Sequence, residues 1–308
     1  MKKLYSAILV SLLLTGCSTS QKSVDTPPPT TSEPWQPDGL VFSTTMGTAS
    51  DWRFVPTPAD RAHVMGEQAT AFEIGIYTGL AVRVQESAPL GVSIATLDIK
   101  SVQLPEPLEV RVTALIAKGL EGGNEPPLAQ IVEALGLNID VGGDQLELSK
   151  EPHPIGDGVS MPTLRAAGPG AVYITAVARY SPDFKLPFGF YTTVGDEAAY
   201  TPVNQIAAAW GLGDTSRNHQ SLMPRVSYPD EQSFDPPAGA FGLYCESPTH
   251  VTHTDPEINV GEGHQTQYAV RTYPIPDLDH AYLVCFEEAA NGDYQDYVFI
   301  ITNVEPAN

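Results

Sequence analysis

Four carboxylates and the amide of Asn291 crowd into ten residues near the carboxyl end: Glu287, Glu288, Asn291, Asp293 and Asp296, with no Lys or Arg between 287 and 296. They sit in Tyr282-Leu-Val-Cys-Phe-Glu-Glu-Ala-Ala-Asn-Gly-Asp-Tyr-Gln-Asp-Tyr-Val-Phe-Ile-Ile-Thr302, two apolar runs around a loop with Gly292 at its turn. A hairpin brings the two ends of such a loop together, so its oxygens converge at one tip. Carboxylates held that close repel each other, and a hard cation removes the cost. Calcium accepts about six to eight oxygens drawn from carboxylates, amides and backbone carbonyls, most of which this loop supplies. Magnesium fits less well, because it keeps more of its water. The spacing is not that of an EF-hand loop. The plainer reading of the same residues is a solvated acidic turn.

Other reactive residues carry weaker signals. Cys245 and Cys285 lie in strand-like runs, and in an oxidising compartment they are expected to form a disulfide. The alternative is two buried thiols acting as small hydrophobes. Neither has a His beside it in sequence, which argues against a thiol nucleophile. His250, His253 and His264 fall in a polar stretch, 247–267, that reads as a solvated loop. Asn138-Ile-Asp-Val-Gly-Gly-Asp144 reads as a turn. The chain has no Gly-x-Ser-x-Gly elbow, no His-Glu-x-x-His pair and no phosphate loop. Tyr77, Tyr173, Tyr180, Tyr191, Tyr200, Trp52 and Trp210 would suit sugar stacking, but aromatics are equally at home in strand packing.

The amino end gives an address. Lys2 and Lys3 precede the apolar run Ser6–Leu14, which is too short to span a bilayer as a helix. Leu14-Thr15-Gly16-Cys17 follows. These residues resemble the signal and lipobox of a bacterial lipoprotein precursor. That resemblance implies removal of residues 1–16 and lipid on Cys17. Acyl chains, at about 0.8 kcal/mol per buried methylene, then hold the protein on a membrane. Ser18 follows the cysteine, and in a Gram-negative envelope that pattern implies the outer membrane. Residues 17–38, with Pro27, Pro28 and Pro29, contain too few apolar groups to fold, and read as a lipidated cysteine with a disordered tether. The formal charge of −21 repels phosphate, so nucleic acid is not an expected partner.

The elements that must position these residues are strands. From Val41 onward, β-branched segments such as Val92–Ile99, Leu108–Leu115 and Ala171–Arg179 are separated by frequent turn signals. Pro127–Leu135 reads as a short helix stopped by Gly136, and Val203–Trp210 as a second. The expected class is all-β: antiparallel β-sandwiches with one or two short helices. Two prolines in Tyr180–Pro187 suggest a joint there, dividing a β-rich domain at 39–183 from a C-terminal sandwich at 184–308. Phe188-Gly-Phe-Tyr191 and Phe241-Gly-Leu-Tyr244 echo each other, although four residues do not make a repeat.

The C-terminal run Glu287-Glu288, Asn291-Gly292-Asp293, Asp293-Tyr294-Gln295-Asp296 and Val298-Phe299 resembles the end of bacterial extracellular β-sandwich modules of the DUF4114-like group. Gln295 stands where that pattern often has Asn. The resemblance implies a cell-surface or secreted accessory module, with no catalytic activity attached. Together these readings give a non-catalytic envelope lipoprotein whose calcium-stabilised head binds a surface glycan or a protein partner. The alternatives are a structural spacer without ligand and an extracytoplasmic polysaccharide hydrolase.

Overall fold

The computed structural model describes residues 89–100, 108–117, 122–181, 184–194, 197–207, 220–261, 263–264 and 266–307, and five earlier strand segments. Cys17, the lipobox around it and the tether at 18–38 lie outside the described residues, as do Tyr77 and Trp210. The chain divides into two compact units, one of Ala7–Ile116 and the other of Ala117–Asn308 with Met1–Ser6.

After Leu4–Ala7 (β1), the first unit contains β2 (Leu40–Thr44), β3 (Trp52–Pro56), β4 (Phe72–Ile74), β5 (Leu80–Val84), β6 (Gly91–Lys100) and β7 (Leu108–Ala117, its last residue in the second unit). β6 and β7 pair antiparallel from Gly91↔Ile116 to Ile99↔Leu108. β3 adds to β6, β4 adds to β3, and β2 pairs with β5.

The second unit opens with α1 (Leu128–Leu135), which begins after Pro127 and ends where Gly136 takes a left-handed φ of 75°. Leu128, Ile131 and Val132 share its buried face, the spacing that a helix of 3.6 residues per turn requires. Strands follow: β8 (Leu164–Ala166), β9 (Val172–Arg179), β10 (Leu186–Val194), β11 (Glu197–Ile206), β12 (Ser221–Leu222), β13 (Ser233–Phe234), β14 (Gly242–Glu246) and β15 (Val251–His253). A short helix, α2 (Pro256–Gly261), precedes β16 (Val270–Pro274), β17 (Ala281–Phe286), β18 (Tyr297–Thr302) and β19 (Val304–Pro306).

Two antiparallel sheets make the sandwich. One has the order β11-β10-β14-β15 and the other β12-β9-β18-β17-β16, with β13 also on β9. Side chains alternate along each strand, so every second residue enters the shared core. Phe188 and Phe190 of β10, Leu243 and Cys245 of β14, Val284 and Phe286 of β17, and Phe299 and Ile301 of β18 all do so. Phe188 and Phe299 meet across it with ring centroids 4.8 Å apart.

Several expectations are met and others corrected. Among the described residues the all-β sandwich with two short α-helices is the observed class. Val203–Ile206 belongs to strand β11 and not to a helix, because Asn204, Gln205 and Ile206 pair with Phe188, Pro187 and Leu186. The expected joint near 184 falls inside the second unit, since β9 is hydrogen-bonded to β18 along six register positions. The two echoing tetrapeptides turn out to be partners: Phe188↔Cys245, Gly189↔Tyr244, Phe190↔Leu243 and Tyr191↔Gly242. Glycine at 242 is a packing requirement, because a Cβ there would lie 2.2 Å from the Tyr191 ring carbon Cζ.

Candidate metal centre

The loop 287–296 joins β17 to β18, whose last paired residues are Phe286 and Tyr297. Register therefore places Glu287 and Asp296 at the mouth of the loop, each next to the end of one of two adjacent strands. Gly292, with φ 85°, and Tyr294, with φ 55°, reverse the chain in left-handed conformations. Tyr294 tolerates this because it is pinned. Its hydroxyl donates to Tyr268 O at 2.9 Å, and the Arg271 guanidinium lies 5.0 Å above its ring.

Glu287 organises the loop from inside. Its Oε1 accepts from the Ala289 amide at 3.0 Å, and its Oε2 from those of Gly292, Asp293 and Tyr294 at 2.9, 3.0 and 3.4 Å. Four backbone donors otherwise lost to the turn are satisfied by one carboxylate. Asp296 Oδ2 accepts from the Glu288 amide at 2.5 Å, closing the mouth. Asp293 Oδ2 accepts from Asn291 Nδ2 at 2.7 Å and Gln295 Nε2 at 3.2 Å, while its Oδ1 is buried with no donor.

Glu287, Asp293 and Asp296 each bring one oxygen within 4.8 Å of the others, and all three are buried, at 0%, 1% and 7% exposure. This triad can hold a metal ion. Burial pushes the Asp293 carboxyl up to about 7, with the Glu287 charge adding to it. Burial also raises Asp296, reinforced by Glu287 and Asp293, and it raises Glu287 against the pull of the four amides. Three such acids cannot all stay ionised in a dry site without a proton or a cation among them.

Of the five expected ligands, two point elsewhere. Glu288 Oε2 accepts from the Tyr297 hydroxyl, because consecutive residues leave opposite sides of the chain. Asn291 turns its amide nitrogen toward Asp293, and its Oδ1 accepts from the Asp293 amide at 3.3 Å, so it braces the triad without joining it. Three neighbours were not singled out from sequence. Glu125 accepts from Gln295 Nε2 and Gln220 Nε2, both at 2.8 Å, linking the segment before α1 to the loop. Nothing local in sequence announces a contact across 170 positions. Arg271 donates to the carbonyls of Ser149, Glu151 and His153, strapping that segment near the turn, where the Leu148 amide donates to Gly292 O at 2.8 Å.

The histidine stretch is packed, not solvated. His253 is fully buried against Tyr200 Oη at 2.8 Å, and Asn259 ties that segment by donating to the carbonyls of His253 and Gln267. His264 Nδ1 accepts from the Thr266 amide at 3.0 Å, so its Nε2 donates to Thr252 Oγ1 at 3.1 Å. Burial, and then the His250 ring 4.4 Å away, push His264 down to about 4. Polar residues fold inward here because they satisfy one another. Tyr200, 40% exposed, and Tyr173, 56% exposed, are the more open of the aromatics expected to stack sugars; Tyr180 and Tyr191 are buried. The Asn138–Asp144 stretch is a turn, with Asp140 Oδ1 accepting from the Gly142 amide at 2.8 Å.

Cys245 and Cys285 are free thiols. Cys245 faces the sandwich core with Phe188 and Leu243, whereas Cys285 follows Val284 and precedes Phe286, both core-facing, and so leaves the opposite face of its sheet. That alternation excludes the expected disulfide. Burial pushes both thiols well up from their ordinary range.

Among the described residues, no helix is long and apolar enough to cross a membrane. Comparison with known proteins finds no matching family model, no similar curated protein and no similar solved structure.

Proposed function

We propose that this chain is a non-catalytic cell-envelope lipoprotein, held by lipid on Cys17, whose β-sandwich head is braced by one calcium ion at the β17–β18 loop and binds a surface glycan or an envelope protein. The observation that carries the calcium reading is the triad: three buried carboxylates within 4.8 Å of one another, one with a bare oxygen. Calcium suits it because oxygen-only, carboxylate-rich sites select hard cations. Closure of the same triad supports a bracing role over catalysis. A substrate cannot reach acids that are 0–7% exposed, whereas glycoside cleavage needs a carboxyl pair flanking an accessible bond.

Support for the address is the lipobox Leu14-Thr15-Gly16-Cys17 together with the strongly negative body, which anionic lipid would repel unless acyl chains held it.

The calcium reading is tested by melting the full-length protein in detergent with excess chelator and with millimolar calcium. At about 100 times the dissociation constant, the ion should stabilise by roughly 2.7 kcal/mol. Identical midpoints reject the calcium brace. The address is tested separately by labelled fatty acid in cells: label on the wild type and none on Cys17→Ser is the expected result. An array of glycans and a cross-linking search of envelope extracts then decide between the two classes of partner.

A further inference from the structure

Gln295 is fully buried in the loop between β17 and β18. Its carboxamide nitrogen donates to Glu125 Oε2 at 2.8 Å and to Asp293 Oδ2 at 3.2 Å. A primary amide has two N–H donors, so both are spent. Exchanging the amide's nitrogen and oxygen would set the oxygen against two carboxylates, so charge fixes the orientation. The carbonyl oxygen, Oε1, of the same amide is buried and without a donor. Asp293 Oδ1, two residues earlier, is in the same condition. Buried acceptors left bare are uncommon and call for an ion or a water.

Glu125 is itself held. Its other oxygen, Oε1, accepts from Gln220 Nε2 at 2.8 Å. A relay Gln220–Glu125–Gln295–Asp293 therefore runs from outside the hairpin into the triad. Nothing in the relay uses Gln295 Oε1, which is left bare.

Resting on the cation reading above, we propose that Gln295 Oε1 is a neutral ligand of the bound ion, alongside Asp293 Oδ1, and that Glu125 is the positioning residue that turns it inward. A mixed set of carboxylate and amide oxygens is ordinary for calcium. The hairpin then supplies the charge, and a carboxylate far away in sequence sets the aim.

The test loads terbium, a luminescent stand-in for calcium, into full-length wild type, Gln295→Met and Glu125→Gln. Luminescence lifetimes in light and heavy water count the waters on the ion, and competition with calcium gives affinity. Loss of one protein ligand in Q295M should add about one inner-sphere water and weaken calcium about 10-fold or more. E125Q should weaken binding while Q295M, made on top of it, adds little further. An unchanged water count in Q295M overturns the proposal, because Gln295 Oε1 then bonds only a buried water. No terbium or calcium binding by the wild type overturns the cation reading itself. Should Q295M fail to fold in chelator, Gln295→Asn replaces it: the neutral but shorter amide withdraws its oxygen from the ion, so the water count should rise by about one, and an unchanged count refutes the assignment.

Discussion

Replacing Asp293 by Asn should act in opposite directions with and without calcium. In the ion-free protein the Asp293 carboxyl is pushed up to about 7 from an ordinary 3.8, chiefly by burial and then by Glu287. Below about 4 it is protonated in both folded and unfolded chains and contributes no pH dependence. As pH rises toward 7 the unfolded chain releases the proton while the folded chain keeps it, so stability falls. Above 7 the loss is complete and amounts to about 4 kcal/mol. Asn carries no charge, and its amide oxygen still accepts from Asn291 and Gln295, while its nitrogen replaces the bare Oδ1. In chelator, D293N should therefore melt with the wild type at pH 4 and roughly 10 °C above it at pH 8. With millimolar calcium at pH 8 the order should reverse, because the ion holds the wild-type carboxylate charged and the variant has lost a ligand. Circular dichroism melts over that pH range read both effects, and comparing variant with wild type at each pH removes the groups that do not feel Asp293; relief of Asp296, which the Asp293 charge also raises, adds to the difference in the same direction. A variant that melts below the wild type at pH 8 in chelator refutes the electrostatic account of the loop.

Other expectations concern the frame around that loop. His264, pushed down to about 4 by burial, should show no imidazole titration near 6.5 by NMR; it contributes stability that is lost as pH falls from about 6.5 toward 4, and a normal titration would contradict its packing. Gly242→Ala should cost about 1–3 kcal/mol, because the new Cβ meets the Tyr191 ring at 2.2 Å; Gly189→Ala should cost more, since its Cβ would lie 2.2 Å from the backbone oxygen of Thr201, which cannot swing aside. Urea titrations measure both, and an unchanged midpoint in either removes the close-packing argument. Cys245 and Cys285 should resist a thiol reagent in the native state and both react in denaturant without prior reduction; a need for reductant would restore the disulfide.

The amino-acid sequence by itself determined much of the local structure. Alternation of Glu109, Arg111 and Thr113 with Val110, Val112 and Ala114 has the two-residue period of a strand, and that strand is β7. Pro127 and Gly136 bound a helix because one has no amide proton to lose and the other adopts φ 75° freely. The apolar runs around Gly292 specify a hairpin, and with it the closeness of Glu287 and Asp296. Tertiary structure alone decided which oxygens meet. Glu288 and Asn291 lie in the same ten residues as the triad, yet their side chains turn to Tyr297 and to the Asp293 amide. Whether Cys245 and Cys285 could join depended on the sheet face each one left, a parity set by register between strands distant in sequence. Val203–Ile206 carries helical spacing, but the ladder to Leu186–Phe188 outweighs that preference. The polar stretch 247–267 resembles a loop until Asn259, Thr252 and His264 find one another. Glu125 reaches Gln295 only because the fold carries the segment before α1 to the hairpin. Propensity and alternation act over a few residues and can be read along the chain; convergence of charges is a property of side chains brought together from far apart, and only packing sets it.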